Sequence, residues 1–357
     1  MSTPRVLFMT EYDFVTQDRE AFARSGPRHF YTAFVTYLAS WGWAVDVRQV
    51  FEPGWAKAML VRLRLSPVVP RTIARALTIV AVAERYDLVV CFQGAGFVAA
   101  ALRWWLGSRK KNMVIISFQP PRQRGRRLAF LRAGMALVRG VLVVSQQQVD
   151  RFADVLAVPR SRIHVIPLGV DTAFFRPTWR GLDDYLWVVG DADRDSEVII
   201  QLAQAGYRIV KTSLQDADSS ELVRLGRESS RVQLIRNASF RKLRELYQDA
   251  QLVISPLKSA DHPAGLTSLS ESLAAGSPVL ISNGLCAQVL GIEDATVEKS
   301  DWLREVEEHV TDDRKRRNLA RREQQYIQDG HHLAQAVPEV TSLLNTLGLT
   351  IDPGLAK

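Results

Sequence analysis

Short apolar runs recur along the chain, each separated from the next by a stretch of helical periodicity, and that alternation leaves few folds open. RVLFMT (residues 5–10) suits a buried parallel strand, and a polar loop, 11–27, follows it. Phe30, Phe34, Tyr37 and Leu38 then recur at helical spacing over residues 29–41. Gly42 ends that helix, and WAVDVRQV (43–50) alternates as a strand. Strand, loop, helix, strand is the unit of a doubly wound α/β domain. The series continues with a helix within 57–85, a strand at 87–92, a helix at 96–106, a strand at 112–118, a helix at 125–139 and a strand at 141–145. HVIPLGVDTAFFRP (164–177) interrupts it with Pro167, Gly169 and Pro177, and strands are expected again at 185–190, 207–212, 232–235 and 252–255. A helix at 301–308 is expected to start on a Ser300 cap. At 357 residues the chain outgrows a single core. The expected class is α/β, with two Rossmann-like domains facing across a cleft. Their bounds are 1–170 and 171–332, and a C-terminal helix, 333–357, crosses back to the first domain.

A composition 47% hydrophobic and 24% charged is that of a globular protein rather than a disordered one. Cys91 and Cys286 lie far apart in apolar surroundings, which reads as two reduced core thiols of a cytosolic protein. No export signal precedes the first strand, and the longest apolar stretch, 128–144, carries Arg132 and Arg139, so no membrane span is expected. Charge is uneven: residues 1–178 hold 25 Lys and Arg against 11 Asp and Glu, a net +14, while the remainder holds 21 against 27. The first half therefore faces something anionic. LRWWLGSRKK (102–111) and PRQRGRRLAFLRAGMALVR (121–139) set arginines beside Trp104, Trp105, Phe130 and Leu131, the composition of a surface that rests on an anionic membrane. Nucleic acid could use the same charge, but no recognition motif accompanies it.

HPAGLTSLSESLAAGSPVLIS (262–282) reads as a phosphate-binding loop, a helix and a buried strand. Gly265 permits backbone that a Cβ forbids, and Leu266, Thr267 and Ser268 begin a helix whose first N–H groups suit an anion. Glu271, four residues after Thr267, shares its face, so a nucleotide fits with its diphosphate at the helix start and its ribose one turn below. A plain capping role is the alternative for the hydroxyls.

Three segments together resemble the GT-B glycosyltransferases, most closely the family-four type. VIPLGVDTAFFRP resembles the interdomain VIPNGVD segment, ESLAAGSPVLIS the donor-binding helix and strand, and GPRHFYTAFVTYLASWGWAVDV the glycine-started first helix. Pro263 stands where the commonest relatives carry a first glutamate, and Gln119 stands near a place often held by histidine.

The resemblance implies a transferase that moves a sugar from a nucleotide-sugar donor to a saccharide, lipid-linked or polysaccharide acceptor. It needs no cofactor, and no metal is expected, although the triplets Asp191-Ala-Asp193 and Asp216-Ala-Asp218 occur. Donor-binding residues would be His262, Gly265, Leu266, Thr267, Ser268 and Glu271, with Lys258 and Arg194 stabilising the departing diphosphate. An inverting course would take Asp13 as general base, with His29 a weaker candidate; a retaining course would need none. A non-catalytic GT-B module, binding a nucleotide sugar or an anionic surface as an assembly subunit, is the other reading. Placement at the cytoplasmic face of the membrane follows from the basic half.

Overall fold

The computed structural model describes residues 4–10, 26–28, 33, 35–36, 38–39, 43–49, 68–178, 183–190, 193–213, 220–236, 238–258 and 263–347. They form two compact units that divide after Pro167, with residues from Val337 onward grouped again with the first.

The first unit is a parallel sheet of β1 (Arg5–Thr10), β2 (Ala44–Gln49), β3 (Leu88–Phe92), β4 (Met113–Ile116), β5 (Val138–Val143) and β6 (Ile163–Val165), in the order β2-β1-β3-β4-β5-β6. Helices α1 (Val68–Ala83), α2 (Gln93–Trp105), α3 (Gly125–Gly134) and α4 (Gln146–Leu156) connect its strands. β3 and β4 are buried at every position, which is why their sequences are continuous apolar runs rather than alternating ones.

The second unit is also wholly parallel, with β7 (Tyr185–Val188), β8 (Arg208–Ser213), β9 (Val232–Arg236), β10 (Leu252–Ser255), β11 (Val279–Ser282) and β12 (Thr296–Val297). Its order, β9-β8-β7-β10-β11-β12, is the dinucleotide-fold order in which the chain winds outward from β7 in both directions. Its helices are α5 (Ser196–Gln204), α6 (Ser220–Glu228), α7 (Phe240–Asp249), α8 (Leu266–Ala274), α9 (Leu285–Leu290), α10 (Trp302–Thr311) and α11 (Asp313–Gly330), and α12 (Leu333–Thr346) begins in this unit and continues into the residues grouped with the first. The VIPLGVD segment is fastened to this unit: Val170 N–H donates to the His331 carbonyl at 2.8 Å, and Leu333 N–H donates to the Val170 carbonyl at 3.1 Å.

The α/β class and the two Rossmann-like halves are those expected from the sequence, but several boundaries differ. The helix expected over 125–139 stops at Gly134, a short 3-10 turn, Met135–Leu137, follows it, and the parallel strand β5 starts at Val138 rather than 141. α2 starts at Gln93, directly after β3, rather than at Gly96. Ser300 does not cap α10; Asp301 is the N-cap residue, and a short 3-10 turn precedes it. Cys91 and Cys286 are both buried thiols.

Gly134 is where α3 presses closest on α2. A Cβ there would stand 2.6 Å from Ala101 Cα and 2.7 Å from the Ala100 carbonyl carbon, and backbone cannot rotate away as a side chain can. Gly134→Ala is expected to cost about 1–3 kcal/mol, read as a lower urea midpoint at unchanged slope. An unchanged midpoint would contradict this packing.

Candidate functional site

In an open parallel sheet the crevice lies outside the carboxyl ends of the strands where the winding reverses, here between β7 and β10. Two loops leave those ends and are stitched together. Asp195 N–H donates to the Pro256 carbonyl at 2.9 Å, Lys258 N–H donates to the Asp193 carbonyl at 2.9 Å, and Arg194 and Leu257 form an antiparallel bridge. The first loop bends sharply, with Gly190 at φ 76° and Asp193 at φ 59°.

Arg194 is drawn into this crevice and is only 4% exposed. Its Nε donates to the Val189 carbonyl at 2.8 Å. Its guanidinium packs against two glycines: a Cβ on Gly190 would stand 3.1 Å from Arg194 Nη2, and one on Gly265 would run into the same nitrogen. Gly265, at φ 80° and ψ 10°, is the N-cap of α8 and offers no side chain to the helix start. Thr267 and Ser268 therefore do not cap α8; Thr267 is exposed and Ser268 half-buried on its first turn. Two glycines make room for a cation beside a bare helix start, and both features attract an anion.

One turn further, Glu271 accepts a hydrogen bond from the Tyr247 hydroxyl at 3.0 Å. Burial lifts the Glu271 carboxyl to about 7, and the Tyr247 bond opposes that rise. Tyr247 itself is fully buried, and burial together with the nearby Glu271 charge pushes its phenol well above the usual range. Its ring lies 4.0 Å from Trp187 at 52° and 5.8 Å from Phe175 in an edge contact. Its carbonyl accepts from Ser277 Oγ at 2.6 Å. Next to it, Gln248 Nε2 donates to the Arg176 carbonyl at 2.6 Å. The AFFRP end of the interdomain segment thus packs against the residue that holds Glu271.

Residues 25–174 match the family model Glycosyltransferase Family 4. No curated protein matches the chain. Among solved structures, a glycosyltransferase from Rickettsia africae ESF-5 aligns over 98% of this chain and 100% of its own, at a TM-score of 0.67 and 11% identity. AviGT4, involved in avilamycin A biosynthesis, aligns over 97% of this chain and 99% of its own, at 0.54 and 15%. TarM of S. aureus, in complex with Fondaparinux, alpha-GlcNAc-glycerol and UDP, aligns over 76% of this chain at 0.57 and 11%, and this chain covers 59% of it. The chain has the GT-B fold of these glycosyltransferases.

The fold brings Arg194, Gly265, Leu266, Thr267, Ser268 and Glu271 into one crevice. Lys258 enters it only through its backbone: its side chain is exposed, and among the described residues its ammonium makes no hydrogen bond or ion pair. His262, Asp13 and His29 lie outside the described residues, as do Asp191, Asp216 and Asp218. Among the described residues no three His, Cys, Asp or Glu side chains gather as metal ligands.

Tyr247 is the residue that sequence reasoning missed. The amphipathic pattern of α7 marks position 247 as buried, but its partner sits 24 residues away on another helix. In the first unit the winding reverses between β1 and β3, and there Gln93 holds a left-handed φ of 47°, uncommon for a residue with a side chain. Gln119, after β4, accepts from Arg122 Nη2 at 3.1 Å.

The basic and aromatic segments meet at Arg139, whose Nε donates to the Lys111 carbonyl, and diverge elsewhere. Residues 102–111 lead into the amino end of β4, whereas residues 121–127 follow its carboxyl end. Leu131 belongs to the core, and Phe130 packs against it. Among the described residues no helix is long and apolar enough to cross a membrane.

The Glu271 carboxyl gives a stability signature. Its folded value, about 7, lies above the ordinary 4.5, so the neutral form is the one the fold favours. That contribution is complete below the ordinary value and is lost as pH rises to about 7. Glu271→Gln should therefore melt with wild type in acid and increasingly above it as pH approaches 7, with a constant gap beyond. Parallel melting curves throughout would contradict the burial.

Proposed function

We propose that the crevice between β7 and β10 holds a nucleotide-sugar donor and that the first unit takes the acceptor. The observation that carries this reading is the convergence of Arg194, the uncapped start of α8 and Glu271 within two helical turns. An anion at the helix start would meet the amides of Thr267 and Ser268 and the Arg194 guanidinium. The ribose hydroxyls would then donate to Glu271. UDP in the S. aureus TarM complex supports a nucleoside diphosphate as the group to be held.

In the transfer, the bond between the sugar's anomeric carbon and the phosphate oxygen breaks, and a bond to the acceptor oxygen forms. The nucleoside diphosphate leaves with the electron pair, and Arg194 and the α8 amides stabilise its growing charge without a metal. His262 would border the same group. In an inverting course Asp13, close after β1 in the sequence, takes the acceptor's proton. The acceptor is a saccharide, lipid-linked or a polysaccharide precursor. The positive charge of residues 1–178 supports work at the anionic inner face of the membrane.

A panel of nucleotide sugars, assayed for donor hydrolysis and for transfer to lipid extracts, tests this. One donor should be turned over, and Arg194→Met should lower kcat about a hundredfold. Glu271→Ala should instead weaken donor binding about tenfold or more. Full turnover in both variants would overturn the assignment. Nucleotide binding with silence across the panel would point to a non-catalytic assembly subunit.

A further inference from the structure

We propose that the turn Trp104-Trp105-Leu106 is a membrane anchor that seats in the headgroup layer of an anionic bilayer. The inference rests on the membrane-facing part of the reading above and names the residues that would make the contact. Three large apolar side chains stand together in solvent at the end of α2: Trp105 is 70% exposed, Leu106 62% and Trp104 39%. Single exposed apolar residues are ordinary, but a contiguous group of three marks a surface that something covers.

The turn is built rather than loose. Arg103, the buried residue just before it, donates through Nη2 to Glu84 at 2.6 Å and to both Ser108 Oγ and the Lys110 carbonyl at 3.3 Å. Its Nη1 donates to Asn112 at 2.8 Å. Backbone bonds close the turn above it: Gly107 N–H to the Trp104 carbonyl at 3.0 Å, and Ser108 N–H to the Arg103 carbonyl at 2.9 Å. A buried guanidinium therefore clamps both ends of the turn and leaves its apolar residues facing outward. An anchor held this way loses little conformational freedom on docking.

What surrounds the turn decides its partner. Arg85, Arg109 and Lys111 are exposed, Lys110 and Arg139 are half-exposed, and Arg139 Nε donates to the Lys111 carbonyl at 2.7 Å, which places it at the same edge. The acids nearby are engaged: Glu84 with Arg103 and Ser108, and Asp87 with the Arg5 amide at 2.9 Å. Tryptophan prefers the layer where apolar and wet surroundings meet, and the cations beside it complement anionic headgroups. A symmetric contact with a second copy would instead bring these cations against their own kind.

The test uses the full chain and vesicles of phosphatidylcholine with and without phosphatidylglycerol. Wild type should sediment with the anionic vesicles, less so in high salt, and brominated lipid should quench its tryptophan fluorescence. The double variant Trp105→Ala with Leu106→Ser should lose about tenfold or more in vesicle affinity while keeping donor turnover in solution. If wild type ignores anionic vesicles, the membrane-facing reading itself fails and the anchor with it. If wild type binds and the double variant binds equally, the anchor is wrong while that reading stands, most directly when Arg122, Arg124, Arg126 and Arg127 changed to Ser abolish binding. Self-association that the double variant removes, without vesicle binding, would identify a second copy as the occupant and overturn the proposal.

Discussion

A carboxylate withdrawn from water needs a hydrogen-bond donor, and the Tyr247 hydroxyl supplies one to Glu271 at 3.0 Å. Much of the second unit converges on that bond. Trp187, at the centre of the sheet, and Phe175, from the interdomain segment, fix the phenol ring, and Ser277 secures the backbone behind it. The loops that present Arg194 and Gly265 close over the same point. A carboxyl set near 7 in this setting is poised between an ionised hydrogen-bond acceptor and a neutral group the core tolerates.

The second constraint is space. Arg194 can lie against the start of α8 only because positions 190 and 265 carry no side chain, and both glycines adopt left-handed backbone to turn their loops. The geometry thus couples a backbone requirement to an electrostatic one. Any residue with a Cβ at position 265 would both strain the cap and push the guanidinium away from the start of α8.

How much of this was legible in the sequence depends on how local each signal is. Parallel strands buried on both faces leave continuous apolar runs, so the two-sheet α/β plan could be read directly. The boundary between α3 and β5 could not, because Met135, Ala136, Leu137 and Val138 are as apolar as the strand they lead into, and a 3-10 turn lies between helix and strand. Gly265, Thr267, Ser268 and Glu271 were readable as one motif since they share two turns of one helix. Tyr247 was not, because its role depends on a partner brought close by the fold. Sequence proximity also misled. Residues 102–111 and 121–127 look like one basic aromatic surface on paper, yet β4 stands between them, and Leu131 turns inward. Lys258 entered the motif by position, but its side chain turns to solvent.

The proposed hold on a nucleotide depends most directly on the link between Tyr247 and Glu271. Calorimetric titration of a nucleoside diphosphate into wild type, Tyr247→Phe and Glu271→Gln, on either side of about pH 7, measures it. Relative to Glu271→Gln, which cancels the ligand's own titration, wild-type affinity should rise as Glu271 ionises. In Tyr247→Phe, which loses the bond that holds the carboxyl down, the rise should shift to higher pH, with affinity near neutrality lower by about tenfold. Three proteins with the same affinity and the same pH profile would contradict it.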